Sequence, residues 1–261
     1  MKNQAPIRQS VMGWCFNPMD AVTLAKHAKR IGLVAMEGVP ASSYPEIRAM
    51  GMQISLVGSH GFREGPTDPK NHPMVERKLR DAIDLAVEND SPNVITFTGM
   101  SVPGMPADVA RKNCIDCWKR VVPYAEQKGI NLVLEHLNSV DDSHPMKGHP
   151  GYFGDDLHLC ADLIREVGSR NFRLLFDIYH VQIMHGDLIR QIRLYHDLVG
   201  HYHTAGNPGR GELDETQEIN YPAVIREIRK TGFSGFLAQE FIPTAEDPIE
   251  SLRQAFDVCQ G

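Results

Sequence analysis

One pattern recurs along the whole chain: a short apolar run, a polar cluster, and then a longer amphipathic stretch. This alternation predicts parallel strands joined by helices, because parallel neighbours need a long crossover connection. Several of the amphipathic stretches end in glycine, which readily closes a helix, as in "KRIG", "EQKG" and "RKTG". The predicted strands are residues 7–13, 33–36, 52–57, 93–98, 130–134, 172–176, 200–203 and 236–239.

Eight such strands can form either an open doubly wound sheet or a closed (β/α)8 barrel. The open sheet usually has a glycine-rich turn after its first strand, and this chain has "VMGWCFNP" there instead. Polar residues end many of the strands, and a closed barrel brings such ends together at one mouth. We therefore predict an α/β protein with a single domain, a TIM barrel over residues 1–261, since such barrels commonly need about 250 residues. The polar residues at the strand ends are Glu37, His60, Thr98, Glu135, Asp177, His203 and Glu240.

Four of these polar residues predict a metal site. Glu135, Asp177, His203 and Glu240 end the predicted strands five to eight, which are neighbours around a barrel. Three converging carboxylates repel one another, and a divalent cation would supply the charge that makes their proximity tolerable. Three carboxylates and one imidazole favour Mn²⁺ or Mg²⁺, and Co²⁺ and Zn²⁺ also accept such ligands. Because one carboxylate at a strand end is often only the N-cap of the next helix, the prediction depends on all four together.

Other polar side chains near the mouth are candidates for substrate binding. His180 follows the acidic end of strand six by three residues, on a predicted loop, and would reach either the metal or a substrate oxygen. Arg210 lies in a loop rich in glycine and proline, where its planar guanidinium would hold a carboxylate or a hydroxyl. His60 follows strand three and is a similar candidate. Glu37 and Trp14 could line the pocket, but for each we favour packing or a supporting position behind the residues that bind the ligand.

Charge and composition limit the partners and the compartment. The net charge is −6 and no long basic run is present, so nucleic acid and anionic membranes are not expected partners. No stretch is apolar enough for a signal peptide or a membrane span, and we expect a cytoplasmic protein if Met1 is the true start. The five cysteines are scattered, which argues against a disulfide framework. Cys114 and Cys117 form a C-x-x-C pair, but within a helical pattern and without a second pair.

Three segments resemble one known family. They are "LEHLN" at 134–138, "FDIYHVQIMHGDL" at 176–188 and "HTAGNPGRGELDETQEINYPAV" at 203–224. These segments are similar to motifs of the hydroxypyruvate isomerase-like enzymes, a group of xylose isomerase-like TIM barrels close to the ketose 3-epimerases. The resemblance extends over essentially the whole chain, and the second and third segments are its most specific parts because both their length and their order match.

The resemblance implies roles for individual residues. It assigns one divalent metal to Glu135, Asp177, His203 and Glu240, proton transfer to Glu135 and Glu240, and substrate contacts to His180 and Arg210. Independently of the resemblance, His60 and Asn138 are further candidate substrate contacts. The chain departs from the family at two places. Many hydroxypyruvate isomerases have glutamine where His203 stands, whereas the epimerases have histidine. Residues 139–153 are rich in histidine, proline and glycine, and we expect them to form a lid with its own specificity.

The expected chemistry is proton transfer beside a carbonyl group. A metal at the carbonyl would stabilise the enediolate, and one glutamate would take the proton. Return of the proton to the adjacent carbon gives aldose–ketose isomerisation, whereas return to the same carbon from the other face gives an epimer. We expect a small sugar or hydroxy-keto acid as substrate and no organic cofactor. A homo-oligomer is also expected, because dimers and tetramers are common among such barrels.

Other functions remain open from the sequence alone. The first alternative is a ketose 3-epimerase or another epimerase of sugars or sugar acids. An endonuclease IV-like hydrolase would need several Zn²⁺ ions and a basic track for DNA, which the acidic sequence does not indicate. A sugar-binding or regulatory barrel could keep the metal ligands without turnover, and a sugar-acid dehydratase or similar lyase is a further alternative. We predict the isomerase.

Overall fold

The computed structural model describes residues 6–260, and its centre is one sheet of eight parallel strands. The strands are β1 (Arg8–Met12), β2 (Ala35–Glu37), β3 (Gln53–Leu56), β4 (Asn93–Thr96), β5 (Asn131–Glu135), β6 (Phe172–Asp177), β7 (Val199–Thr204) and β8 (Phe236–Gln239). Their order is β3-β2-β1-β8-β7-β6-β5-β4. A parallel bridge from Val57 to Val94 joins β3 to β4, with the Val57 N–H donating to the Asn93 carbonyl at 2.9 Å. The barrel is therefore nearly closed, and the predicted TIM barrel with a single domain is confirmed.

All eight predicted strands are present, and their ends differ from the predicted ends by at most two residues. The apolar runs could be recognised because a parallel strand in a barrel is buried on both faces. In β5, for example, Leu132, Val133 and Leu134 are all fully buried, so the usual alternation of polar and apolar residues is missing. The strands end where polar residues begin, which places those residues at the carboxyl-terminal mouth of the barrel.

Nine helices cover the outside of the sheet within the described residues. They are α1 (Ala21–Ile31), α2 (Tyr44–Ala49), α3 (His72–Glu88), α4 (Ala107–Lys128), α5 (Leu157–Val167), α6 (Ile178–Met184), α7 (Leu188–Tyr195), α8 (Tyr221–Lys230) and α9 (Pro248–Gln260). Helices α2 and α6 have only six and seven residues, too few for a helical period to be visible in the sequence. Within residues 6–260, every helix is too short or too polar to cross a membrane.

The main core lies between the sheet and the helices. Trp118 of α4 is fully buried, and its ring lies 4.9 Å from that of Phe172 on β6. The indole nitrogen of Trp118 donates a hydrogen bond to Thr96 Oγ1 at 3.0 Å, so its polar atom is also satisfied. Cys114 and Cys117 lie on the buried side of the same helix, and all five cysteines are free and buried.

The loops that follow β3 and β4 are held together by two glycines at the barrel mouth. A Cβ atom on Gly65 would lie 2.3 Å from the backbone nitrogen of Gly99, so the backbones of the two loops are in direct contact. Gly99 also has a φ of +92°, a conformation that residues with a side chain rarely adopt. This close contact positions the loops that form one wall of the cavity described below.

Candidate active site

Four side chains from β5, β6, β7 and the end of β8 meet at the centre of the barrel mouth. They are Glu135, Asp177, His203 and Glu240, and one ligand atom from each lies within 4.8 Å of the others. None of these residues is more than 5% exposed. Glu135 and Asp177 are the last residues of their strands, and Glu240 directly follows β8. The structure thus brings together the four positions for which the sequence predicted a metal site.

Each of the four residues has a buried polar atom without a hydrogen-bond partner among the described residues. These atoms are Glu135 Oε1, Asp177 Oδ2, His203 Nδ1 and Glu240 Oε2. His203 Nδ1 lies 2.7 Å from Glu240 Oε2 and 3.3 Å from Glu135 Oε1, which are ion-pair distances without hydrogen-bond angles. Oxygen donors with one imidazole nitrogen suit a divalent cation, so the residues present fit such an ion.

Burial and charge alter the pKa values of the cluster in opposite directions. Burial, with the negative charge of Glu240, raises the pKa of Asp177 to about 7, and burial also raises the pKa of Glu135. Burial would raise the pKa of Glu240 as well, but the charges of Arg210 and His203 outweigh it and lower that pKa to about 2. Against the effect of burial, the charge of Glu240 raises the pKa of His203 well above its usual value. The cluster therefore attracts positive charge.

Arg210 reaches the cluster from the loop after β7. Its Nη2 atom lies 2.7 Å from Glu240 Oε2 and 3.5 Å from Asp177 Oδ2. Its Nη1 atom donates a hydrogen bond to the carbonyl of Met146 at 2.6 Å, which ties the cluster to the predicted lid. The guanidinium carbon lies 5.4 Å from the centre of the Trp14 ring, so Trp14 contacts the site directly. Arg210 is thus a buried cation at the edge of the proposed metal position.

His180 is fully buried and lies on α6, not on the loop that the sequence indicated. The Asp177 side chain caps this helix by accepting from the backbone N–H groups of Tyr179 and His180 at 2.8 and 3.3 Å. Nδ1 of His180 accepts from the backbone N–H of Asn138 at 3.2 Å and from its side-chain amide at 2.7 Å. Nε2 therefore carries the proton, and it lies 3.5 Å from Asp177 Oδ2.

Asn138 is fully buried and its side chain is occupied by protein contacts. Its amide nitrogen donates to the carbonyl of Lys147 at 2.8 Å, and its Oδ1 atom accepts from the backbone N–H of Asp141 at 3.0 Å. Together with the bonds to His180, these contacts use both ends of the amide. The structure therefore places Asn138 behind His180, where it orients that ring and anchors the predicted lid.

His60 lies away from the cluster, and both of its ring nitrogens have partners. Nδ1 lies 3.1 Å from the carbonyl of Glu64, which can only accept, so Nδ1 donates. Nε2 then accepts from Thr96 Oγ1 at 3.0 Å, and Thr96 in turn accepts from Trp118. Burial lowers the pKa of His60 to about 4. His60 is thus a neutral link between core and loop, and the structure does not bring it into the described cavity.

A cavity of about 310 Å³ opens beside the cluster. Its walls are largely apolar, and Arg210 is the one arginine or lysine among the described residues that line it. An apolar pocket with a few convergent polar groups is the usual form of a small-molecule site. The lining residues include Trp14, Leu56, Phe62, Phe97, Leu137 and Met146, together with Glu135, Glu240, Arg210 and His149.

His149 is a candidate functional residue that the sequence analysis did not single out. It lies in the 139–153 segment and lines the cavity, with its ring centre 4.2 Å from Phe62 and 6.0 Å from His180. Among the described residues, neither ring nitrogen has a hydrogen-bond partner. Burial, with the charge of Arg210, lowers its pKa to about 4, so the ring is neutral near pH 7. Its place in a loop, rather than at a strand end, is the reason that strand patterns did not reveal it.

The sequence matches the family described as "Xylose isomerase-like TIM barrel" over residues 26–259. The chain belongs to the xylose isomerase-like TIM barrel family. The matched range contains β2 to β8, and therefore all four residues of the cluster and Arg210. The hydroxypyruvate isomerase-like enzymes that the three segments resemble are one group of such barrels, so the predicted membership of the xylose isomerase-like barrels is confirmed.

Two relatives of this xylose isomerase-like barrel are named as isomerases. The 2-oxo-tetronate isomerase of Pectobacterium atrosepticum is 28% identical over 167 residues, which are 64% of this chain and 61% of the relative. The hydroxypyruvate isomerase of Escherichia coli is 26% identical over 172 residues, 64% of each chain. In both comparisons the match spans less than two thirds of the relative's length.

Solved structures with the same barrel fold as this chain are named for several different activities. An AP endonuclease of family 2 from Brucella melitensis has a TM-score of 0.82 and 22% identity, over 95% of this chain and 97% of the other. A D-psicose 3-epimerase from Clostridium cellulolyticum H10 has a TM-score of 0.75 and 13% identity, over 97% and 96%. At these identities the likeness establishes the xylose isomerase-like fold, and the activity must be argued from the site.

Proposed function

We propose that this protein is a metal-dependent isomerase of a small hydroxy-carbonyl compound, of the kind represented by hydroxypyruvate and the 2-oxo-tetronates. The proposal depends on one observation: four buried ligand atoms without hydrogen-bond partners converge from neighbouring strands at the barrel mouth. The names of the two bacterial relatives support the substrate class. The proposed metal ligands are Glu135, Asp177, His203 and Glu240, with Mn²⁺ or Mg²⁺ as the first candidates and Co²⁺ and Zn²⁺ as others.

The chain's own residues would divide the work of the reaction. A divalent ion, when bound, would supply the positive charge that stabilises an enediolate. Glu135 and Glu240 are the proposed acid and base, because they reach the centre from strands separated by β6 and β7. Arg210 would donate to a substrate oxygen from beside Glu240, and His180 would offer its Nε2 proton. The apolar walls would exclude water from the carbon that loses its proton.

A ketose 3-epimerase is the second candidate. Two glutamates approach the centre from different strands, so one could take a proton and the other could return it to the opposite face of the same carbon. His203, where many hydroxypyruvate isomerases have glutamine, also matches the epimerases. The barrel of D-psicose 3-epimerase has the same fold, which is compatible with either reaction. We do not propose the endonuclease, since Arg210 is the one arginine or lysine in the described cavity and DNA binding needs a basic track.

The function is tested by incubating Mn²⁺-loaded protein in D₂O with hydroxypyruvate, 2-oxo-tetronates, ketopentoses and ketohexoses. We expect NMR to detect deuterium at the carbon beside the carbonyl, together with the isomeric aldehyde or ketone. Deuterium at an inverted carbon, with no movement of the carbonyl, would instead establish the epimerase. If no compound in the panel exchanged a proton, the proposed enzyme would be replaced by the non-catalytic sugar-binding barrel.

His149→Gln is expected to raise KM for the active substrate about tenfold while kcat changes little. A neutral imidazole without a protein partner faces the cavity, and the hydrogen bond it would give a substrate hydroxyl is worth about 0.5–1.5 kcal/mol, or up to about tenfold in affinity. The matched control is His144→Gln, an exposed histidine of the same segment. Steady-state kinetics on both variants would contradict the assignment if their KM values were equal.

A further inference from the structure

A second group of buried polar side chains lies directly behind the candidate metal centre, inside the barrel. Glu37, at the end of β2, reaches His201 and His203 on β7, although β1 and β8 separate these strands in the sheet. All three residues are fully buried. The interior layers of such barrels are usually filled by branched apolar side chains. A carboxylate in this position therefore needs a specific set of partners.

Hydrogen-bond donors surround the Glu37 carboxylate. Ser10 Oγ and Ser55 Oγ, from the neighbouring strands β1 and β3, lie 3.0 and 2.5 Å from its Oε2 atom. Nε2 of His201 lies 3.0 Å from Oε2, and Nε2 of His203 lies 2.9 Å from Oε1. With two hydroxyls and two imidazole nitrogens around its two oxygens, the carboxylate accepts from both imidazoles, which therefore carry a proton on Nε2.

This proton position has a direct consequence for His203. His203 would have to be neutral to bind an ion, and a neutral imidazole with its proton on Nε2 has its lone pair on Nδ1. Nδ1 is the atom that lies 2.7 Å from Glu240 Oε2 and 3.3 Å from Glu135 Oε1. A histidine that binds a metal needs its lone pair on the atom facing the ion, and a carboxylate on the other ring nitrogen is the usual means of fixing it.

We propose that Glu37 is a positioning residue for metal binding: it holds His203 with the proton on Nε2 and the lone pair of Nδ1 facing the carboxylate cluster. This inference rests on the proposed function, because it assumes that the cluster holds an ion. It assigns Glu37 a specific role behind the metal ligands, which the sequence left open as one alternative to simple packing.

The same three residues do not form a second metal site of their own. Their ligand atoms do lie within 4.8 Å of one another. However, the Nε2 atoms of His201 and His203 point protons, not lone pairs, at Glu37, and both carboxylate oxygens already accept hydrogen bonds. His201 makes the same contact with Glu37 but is not part of the cluster at the mouth, which makes it a matched comparison for His203.

The test measures the affinity for Mn²⁺ of three proteins: the wild type, Glu37→Gln and His201→Gln. The EPR signal of free Mn²⁺ gives the bound fraction at each metal concentration. We expect Glu37→Gln to bind Mn²⁺ about 10- to 100-fold more weakly, the range found when the partner of a metal-binding histidine is removed. His201→Gln keeps a donor for Glu37 and leaves His203 untouched, so it should bind Mn²⁺ as the wild type does. Equal affinity in the wild type and Glu37→Gln would overturn the proposal, as would an equal loss in both variants.

A second measurement does not depend on the folding of any variant. In wild-type protein loaded with Zn²⁺ and labelled with ¹⁵N-histidine, NMR should find the His203 Nε2 protonated and Nδ1 without a proton. A ring with the opposite arrangement would overturn the positioning role of Glu37 while leaving the metal site in place. If the wild type bound neither Mn²⁺ nor Zn²⁺, the proposed function would itself be wrong, and the role of Glu37 would be overturned with it.

Discussion

Glu135→Gln and Glu240→Gln are each expected to lower kcat by about a thousandfold or more. Each carboxylate is assigned both a metal bond and a proton transfer, and a positioned acid or base alone contributes about 10²–10⁴-fold. Glutamine has nearly the same shape, so the buried cluster keeps its packing while one charge and one base are lost. The measurement is turnover and D₂O exchange of whichever substrate in the panel proves active.

The two glutamine variants also separate the roles of the two glutamates. A variant that still exchanges the substrate proton but forms no product has kept the residue that takes the proton and lost the one that returns it. The control is Glu215→Gln, an exposed glutamate in the loop after β7, which should retain full activity. Near-normal kcat in both Glu135→Gln and Glu240→Gln would remove these residues from the reaction.

Removal of metal by EDTA is expected to abolish turnover and to lower the melting temperature, and added Mn²⁺ should reverse both effects. The ion would bring positive charge to three carboxylates that otherwise repel one another. Because the unfolded chain has no assembled site, an ion at about 100 times its dissociation constant would add about 2.7 kcal/mol to the free energy of unfolding. Calorimetry with and without Mn²⁺ measures the stability, and metal analysis of the purified protein measures the occupancy.

Asp177→Asn is a sharp control for this prediction. Asp177 also caps α6 through the backbone N–H groups of Tyr179 and His180, and asparagine is an equally good cap. The substitution therefore removes one charged ligand and preserves the helix, so the stabilisation by Mn²⁺ should shrink while the metal-free protein keeps its melting temperature. A purified protein that contained no metal and was unaffected by EDTA would contradict the metal site.

Several features of the site could be predicted because they are local. Glu135, Asp177 and Glu240 directly follow or end apolar runs. The carboxyl-terminal end of a barrel strand lies at the mouth irrespective of the loops and helices that connect the strands. His60 shows where this reasoning stops. It lies beyond the end of β3 at Leu56, where the alternation of a strand no longer sets the direction of a side chain, and its ring turns toward Thr96.

The role of Asn138 could not be predicted for a different reason. Asn138, the last residue of the 134–138 segment, was a candidate substrate contact, but its side-chain amide is hydrogen-bonded to His180, Lys147 and Asp141. Those partners are set by the path of the 139–153 segment and by the short helix α6. The path of the same loop also places His149 in the wall of the cavity. No periodic pattern in the sequence encodes such a path.

The amino-acid sequence by itself determined the barrel, the order of its strands and the four polar residues at the ends of the last four strands. These follow from hydrophobic runs and from the general rule that parallel strands of a barrel share one mouth. Only the tertiary structure decided that Glu37 contacts His203, because those residues are 166 positions apart and meet inside the barrel. The same contact decides which nitrogen of His203 faces the carboxylates, since a proton's position depends on atoms a few ångströms away rather than on neighbours in the chain.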